Sequence, residues 1–201
     1  MPFTFDPSTG RYRDQVGRVI PDSAIRKALD SVLSAQAQST RDLTQRMMAG
    51  SLSLGEWQQA MMQNIKTSHL IGLATSNGGW KNLDQSDFGW VGQRIRSQYG
   101  YLRDFAADLQ SGRQPMNNTV MVRATMYVDA GRQTHRAAQR RAAEKRGLKQ
   151  ERNQLGAADH CAGCLNETSK GWVPIGTLVP CGSRNCMSRC HCTLLYRNTA
   201  A

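Results

Sequence analysis

Gly50-Ser51-Leu52-Ser53-Leu54-Gly55-Glu56-Trp57 ends one helix and begins the next, and that punctuation decides the fold class. Gly50 stops the run before it. Ser53 and Glu56 then form a capping box. The serine hydroxyl can accept from the backbone amide of Glu56, while the glutamate reaches back to the serine amide. Upstream, after Pro21 and with Asp22 or Ser23 as a cap, Ile25, Leu29, Val32, Leu33, Leu43 and Met47 recur close to helical spacing. Downstream, Leu54, Trp57, Met61, Ile65 and Leu70 carry a second helix to Asn77-Gly78-Gly79. Two antiparallel helices joined by a few residues are the simplest arrangement.

The same signals continue along the chain. A third helix is predicted from Asp84 or Ser86 to Ser111-Gly112. Its interior glycines, Gly89, Gly92 and Gly100, each cost about 1 kcal/mol relative to alanine, so close packing is expected there. A fourth helix starts after Pro115 near Asn117 or Asn118 and extends toward Arg146-Gly147, with Met121, Ala124, Met126, Tyr127 and Val128 in its buried half. Residues 1–20 carry Asp6-Pro7, Thr9-Gly10 and Val16-Gly17 with few apolar side chains. They read as an extended arm lying on another surface. The expected divisions are an arm over 1–20, a helical domain over 21–153 and a cysteine-rich module over 154–201. The predicted fold is mainly α: helical hairpins and a long basic helix, followed by a small irregular zinc-knuckle module.

The second half of the fourth helix changes character. Arg132, Arg136, Arg140, Arg141, Lys145, Arg146, Lys149 and Arg152 face only Glu144 and Glu151 in sequence. On a helical wheel they make two ridges with alanine between them. That pattern fits a solvated strut, or a contact surface for an acidic protein or for DNA phosphates. The whole chain, 201 residues at a formal charge of +11, favours a polyanion or acidic surface as neighbour. Mean hydropathy is −0.54 and only 6% of residues are aromatic, enough for a modest core and little more. No stretch approaches the roughly 18 apolar residues that span a bilayer, and Met1-Pro2-Phe3-Thr4-Phe5-Asp6 does not read as a secretory signal. The expectation is a soluble protein made in a reducing cytoplasm, without membrane contact.

All six cysteines fall in one short region: Cys161, Cys164, Cys181, Cys186, Cys190 and Cys192, with His160 and His191 among them. In a reducing compartment such clustering points to metal ligation, with disulfides or free thiols as the alternatives. Cys161-Ala162-Gly163-Cys164 is a CxxC knuckle that brings two thiolates to one ion at about 2.3 Å. Cys186-Met187-Ser188-Arg189-Cys190-His191-Cys192 supplies the return half. A module this poor in apolar groups needs a metal for order, and zinc is the ion its thiolates suit. The expected quartet is Cys161, Cys164, Cys186 and Cys190, with Cys192, Cys181, His160 and His191 as alternates. Four protein ligands close the coordination sphere, which favours structure over catalysis. Asp159-His160 beside the knuckle hints at a zinc nuclease, but no second histidine and asparagine complete such a centre. No phosphate-cradling loop and no nucleophile elbow is present. The chain does not read as an enzyme.

Several of these motifs resemble the minor head, or head morphogenesis, proteins of tailed bacteriophages. The likeness runs through Arg11-Tyr12-Arg13-Asp14 with Gly17-Arg18, then Gly50 to Trp57, then Gln98-Tyr99-Gly100-Tyr101-Leu102 with Phe105. The closing module is similar to the phage Mu F-like C-terminal region, through Leu155-Gly156, Asp159 to Cys164, Gly171-Trp172-Val173-Pro174-Ile175-Gly176-Thr177-Leu178 and Cys186 to Cys192. Cys161, Cys164, Cys186, Cys190 and Cys192 match that family's ligand pattern. Cys181 departs from it, at a place where the family carries a Pro-Gly-rich loop, and the chain is short for the group. The resemblance implies a minor virion component, assembled in the host cytoplasm with portal, capsid or neck proteins. It would be present in multiple symmetric copies and would meet packaged DNA in some settings. A zinc-containing DNA-binding protein, using the basic helix on the packaged genome, is the alternative.

Overall fold

The structure is a computed structural model that describes residues 2–187 and 190–198. Four long helices dominate it: α1 (Asp22–Met48), α2 (Leu54–Ser76), α3 (Gln85–Gln110) and α4 (Asn118–Lys145). A three-stranded antiparallel sheet precedes them, β1 (Phe3–Asp6), β2 (Arg11–Asp14) and β3 (Val19–Ile20). A second sheet follows, in the order β5-β4-β6, from β4 (Gln150–Gln154), β5 (Val173–Pro174) and β6 (Thr193–Arg197). The short helix α5 (Ala162–Ser169) packs on β4.

The helix starts form as their sequences dictate. Ser53 and Glu56 make the reciprocal capping box of α2, and Asp84 with Asp87 makes a second one at α3. Asn117 caps α4 by accepting from the Thr119 amide. Trp57, fully buried, meets Phe105 edge to face at 5.6 Å, and its indole donates to Thr44 at 3.0 Å. Around this pair Met47, Met61, Ile65, Leu102 and Val120 build the main core. Helices α2 and α4 lie at the centre, with α1 against both and α3 against α2.

Their closest approach is at glycines. A Cβ on Gly72 would collide with the carbonyl oxygen of Gly131, and one on Gly131 would stand 2.7 Å from the Ser68 carbonyl oxygen. His69 reaches across the same crossing to Thr134, Nδ1 to Oγ1 at 2.6 Å. Gly89, Gly92 and Gly100, where close packing is expected from sequence, have open space at the Cβ position. Met126 is 44% exposed because the buried stripe of α4 runs Ala124, Tyr127, Val128, Gly131, and residue 126 falls off it.

Residues 3–20 are a folded β-meander where the sequence suggests an extended arm. Phe3 and Phe5 share one face by the two-residue strand period and gather Tyr12 between them. Phe3, Tyr12 and Ile25 form a small buried cluster, and the Tyr12 hydroxyl donates to the Ser76 carbonyl at 2.8 Å. Few apolar residues suffice because α1 and the end of α2 complete their burial. At the other end, a boundary at residue 153 would cut through β4. That strand is the middle member of the second sheet, so the C-terminal module begins near Lys149.

The basic ridges are turned inward. Arg132 pairs with Asp30 of α1 at 2.6 Å and with Asp129. Arg136 donates to the Cys190 carbonyl, and Arg140 pairs with the fully buried Glu151 at 3.0 Å and donates to the Leu178 carbonyl at 2.9 Å. Arg141 and Lys145 reach Asp87 at the start of α3, at 3.2 and 2.8 Å. Arg146 lies over the Phe5 ring and Arg152 over Trp172. Of the eight cations expected to meet a partner, Lys149 alone shows no side-chain contact of this kind among the described residues. The acidic surface that the arginines meet belongs to their own chain. One ridge faces α1 and the C-terminal module, and the other faces α3.

Candidate metal centre

The knuckle is built by the start of α5. Cys161 is the residue before the helix, in extended conformation, and Cys164 stands one turn in, its amide donating to the Cys161 carbonyl at 2.9 Å. Cys181 opens the turn after Pro180, Cys186 closes the next one, and Cys190 and Cys192 lead into β6. Ser188 and Arg189 of the return motif lie outside the described residues. Cys164, Cys181, Cys190 and Cys192 are each at most 4% exposed and form their own buried cluster, with Cys161, Cys186, Leu155 and Leu194 against it.

Four thiolates around a zinc ion at about 2.3 Å set their sulfurs about 3.8 Å apart. Cys164 Sγ lies 3.6 Å from Cys186 Sγ and 3.8 Å from Cys190 Sγ, which matches. The cluster divides into two overlapping triads, Cys161-Cys164-Cys186 and Cys164-Cys190-Cys192, each with all sulfurs within 4.8 Å of one another. The expected quartet is therefore not one tight set: Cys190 belongs with Cys192, and Cys164 belongs to both groups. The cysteines can hold a metal ion.

The alternates separate clearly. His160 sends Nδ1 to within 3.7 Å of Cys192 Sγ while Nε2 faces the Gly156 carbonyl at 3.0 Å. A carbonyl only accepts, so Nε2 donates to Gly156 while Nδ1 is the ring nitrogen turned to the sulfur. A Cβ at Gly156 would strike the His191 carbonyl oxygen, so the segment before His160 can lie against the His191 backbone only as glycine. Cys181 faces Cys190 and lies 3.7 Å from Asn153 Oδ1. His191 is exposed, belongs to neither thiol group, and lines a cavity of about 650 Å³ with Arg26, Lys27, Arg132, Arg136 and Cys190.

The electrostatics favour thiolates at two corners. Backbone amides at Cys164 and Cys186 and the neighbouring thiols hold the Cys161 thiol down, at about 7. The Cys181 thiol, donating, pulls Cys190 well below the usual thiol range, and Cys181 is pushed up in return. Burial pushes Cys164 up in the metal-free protein, a cost that a bound cation removes. Arg184 is the local counter-charge. It is 6% exposed, and its Nη1 lies 3.7 Å from Cys164 Sγ and donates to Asn153 Oδ1 at 2.8 Å.

Arg184, Asn153, Glu151 and Glu167 are missed by reading the sequence for ligands. Glu167 accepts from the Val179 amide and from Lys170, and Glu151 accepts from the amides of Gly176 and Leu178. Together they fix the loop that carries Cys181. Three of the four carry a chemical signal: a charged residue in or beside a cysteine-rich segment must find a partner if it is buried, whereas Asn153 carries none.

No family model, curated protein or solved structure matches this chain. Among the described residues no helix is long and apolar enough to cross a membrane.

Proposed function

We propose that this chain is a zinc-stabilised structural protein of a tailed-phage particle. In this reading it assembles in symmetric copies with portal, capsid or neck proteins through protein–protein contacts. The observation that carries the structural half is the convergence of thiols from separate turns onto Cys164, whose sulfur lies 3.6 Å from that of Cys186 and 3.8 Å from that of Cys190, separations that suit ligands of one ion. An ion there replaces the apolar core that the module lacks. Thiolates that close the shell leave no open position for substrate, so the ion's role is to hold shape. The arginines of α4 carry that shape to the helices: Arg136 grips the Cys190 carbonyl and Arg140 grips Glu151. The virion half rests on the resemblance of the motifs from Arg11 to Cys192.

Two measurements test the two halves. Elemental analysis of protein purified under reducing conditions is expected to find zinc, and metal-free folded protein would end the first half. Quantitative mass spectrometry of particles from a producing lysate is expected to find the chain at a fixed ratio to portal protein. Its absence from purified particles would end the second. The charge of +11 favours DNA contact as a second reading. With the α4 ridges engaged inside the chain, phosphates would have to meet exposed cations such as Arg11, Arg18 and Lys149. Affinity for duplex DNA that falls steeply with salt, and falls again in Arg18→Ala and Lys149→Ala, would support it.

A further inference from the structure

A cavity of about 650 Å³ opens where the helical bundle meets the C-terminal module, with α1 and α4 on one side and Gly156, Ala157, Cys190 and His191 on the other. Its lining holds four cations, Arg26, Lys27, Arg132 and Arg136, and two carboxylates, Asp30 and Asp129. Both carboxylates are taken by Arg132. Among the described residues Arg26, Lys27 and Arg136 have no acidic partner, and four cations against two carboxylates leave an excess of two positive charges. We infer that this cavity binds the phosphate group of a small phosphorylated compound.

Three further features converge on the same space. His135 is the least exposed side chain of the lining, at 1%, and neither of its ring nitrogens has a hydrogen-bond partner. The Gly72 backbone comes near the ring without the geometry to bond it. A buried polar ring left without partners costs the fold free energy, and an N–H of that ring can be given to a phosphate oxygen. Helix α1 begins without a side-chain cap, and Ser23 of its first turn lines the cavity beside Arg26 and Lys27. Open amides at a helix start favour an anion. Arg136 is held in place by its bond to the Cys190 carbonyl, and its Nη1 is buried with no partner. The charge excess decides the ligand class. A phosphate monoester carries close to two negative charges and cancels it, whereas a carboxylate cancels half. The volume falls in the range of sites for whole small molecules, so the phosphate is one end of the ligand.

Isothermal titration calorimetry of the full chain, purified under reducing conditions and held at constant ionic strength, tests the site with phenyl phosphate as probe. One saturable site per chain is expected, with benzoate binding far more weakly. Arg26→Gln and Lys27→Gln remove cations that have no partner inside the chain, and each is expected to weaken binding about tenfold. Arg103→Gln, the same charge change on α3 outside the lining, is expected to bind as the wild type does. No saturable binding, or equal weakening in Arg103→Gln, would overturn the site. Benzoate binding as tightly as the probe would overturn the phosphate assignment. Displacement of the probe by duplex DNA would overturn the assignment to a small compound. The wild-type chain alone gives a second readout, the nitrogen-15 resonances of the His135 ring. They are expected to shift as phenyl phosphate is added, and a ring that stays unmoved at saturation would overturn the site.

Discussion

Gly72 of α2 and Gly131 of α4 face each other with no room for a side chain on either, and each backbone packs against the other's carbonyl groups. The central helix pair is therefore held at a separation that glycine alone permits. Gly72→Ala is expected to destabilise the protein by about 3 kcal/mol, because the obstacle is backbone and cannot rotate away. Gly92→Ala, at an exposed helical site with open space, is expected to stabilise by up to about 1 kcal/mol. Urea midpoints for the two variants should move in opposite directions.

Arg140 and Glu151 join the bundle to the C-terminal sheet through a carboxylate with no solvent exposure. Removing the arginine alone strands a buried charge, so Arg140→Met is expected to cost about 3 kcal/mol. Glu151→Gln should cost less, because the amide still accepts from the Gly176 and Leu178 amides. The double variant should recover part of the loss. A thermodynamic cycle over the four proteins measures this, and strict additivity would show that the pair is not coupled.

The main apolar core and the cysteine cluster share no residue. Metal removal by a strong chelator is accordingly expected to release β4 to β6 and α5 while leaving α1 to α4 folded. Hydrogen exchange should rise over residues 150–187 and stay low around Trp57 and Phe105. Simultaneous loss of both regions would show that the bundle depends on the ion.

His69 and His135 are buried at the α2–α4 crossing, and burial pushes each down to about 4. The unfolded chain, with imidazoles near 6.5, takes up protons that the folded state refuses between those values. Stability from these rings is thus complete above about pH 6.5 and falls as pH drops toward 4, by on the order of 2 kcal/mol for each ring. His69→Gln should flatten that part of the urea midpoint against pH. The difference from wild type separates the ring's contribution from acid release of metal.

The helices were legible because their signals are local. Ser53 with Glu56 and Asn117 with Thr119 act over two or three residues, and the apolar spacing needs no knowledge of the rest. What escaped depends on distant partners. Arg132 meets Asp30 and Arg141 meets Asp87, far off in sequence, so a charged ridge read alone looks like a surface waiting for a ligand. Phe3, Phe5 and Tyr12 look too few to fold because their burial is completed by Ile25 and the Ser76 end of α2. The cysteines announced themselves by clustering, but their division around Cys164 depends on where two turns and a helix end meet. Spacing along the chain does not encode that.

Up-and-down helices put the turns near Gly50 and Gly112 at one end of the molecule, while both sheets and all six cysteines sit at the other. The two poles differ in kind: one is plain helical hairpin, the other carries the whole cysteine cluster. A small epitope or dye grafted at either hairpin tip would therefore report where the protein sits, and which way it points, without disturbing the ligands.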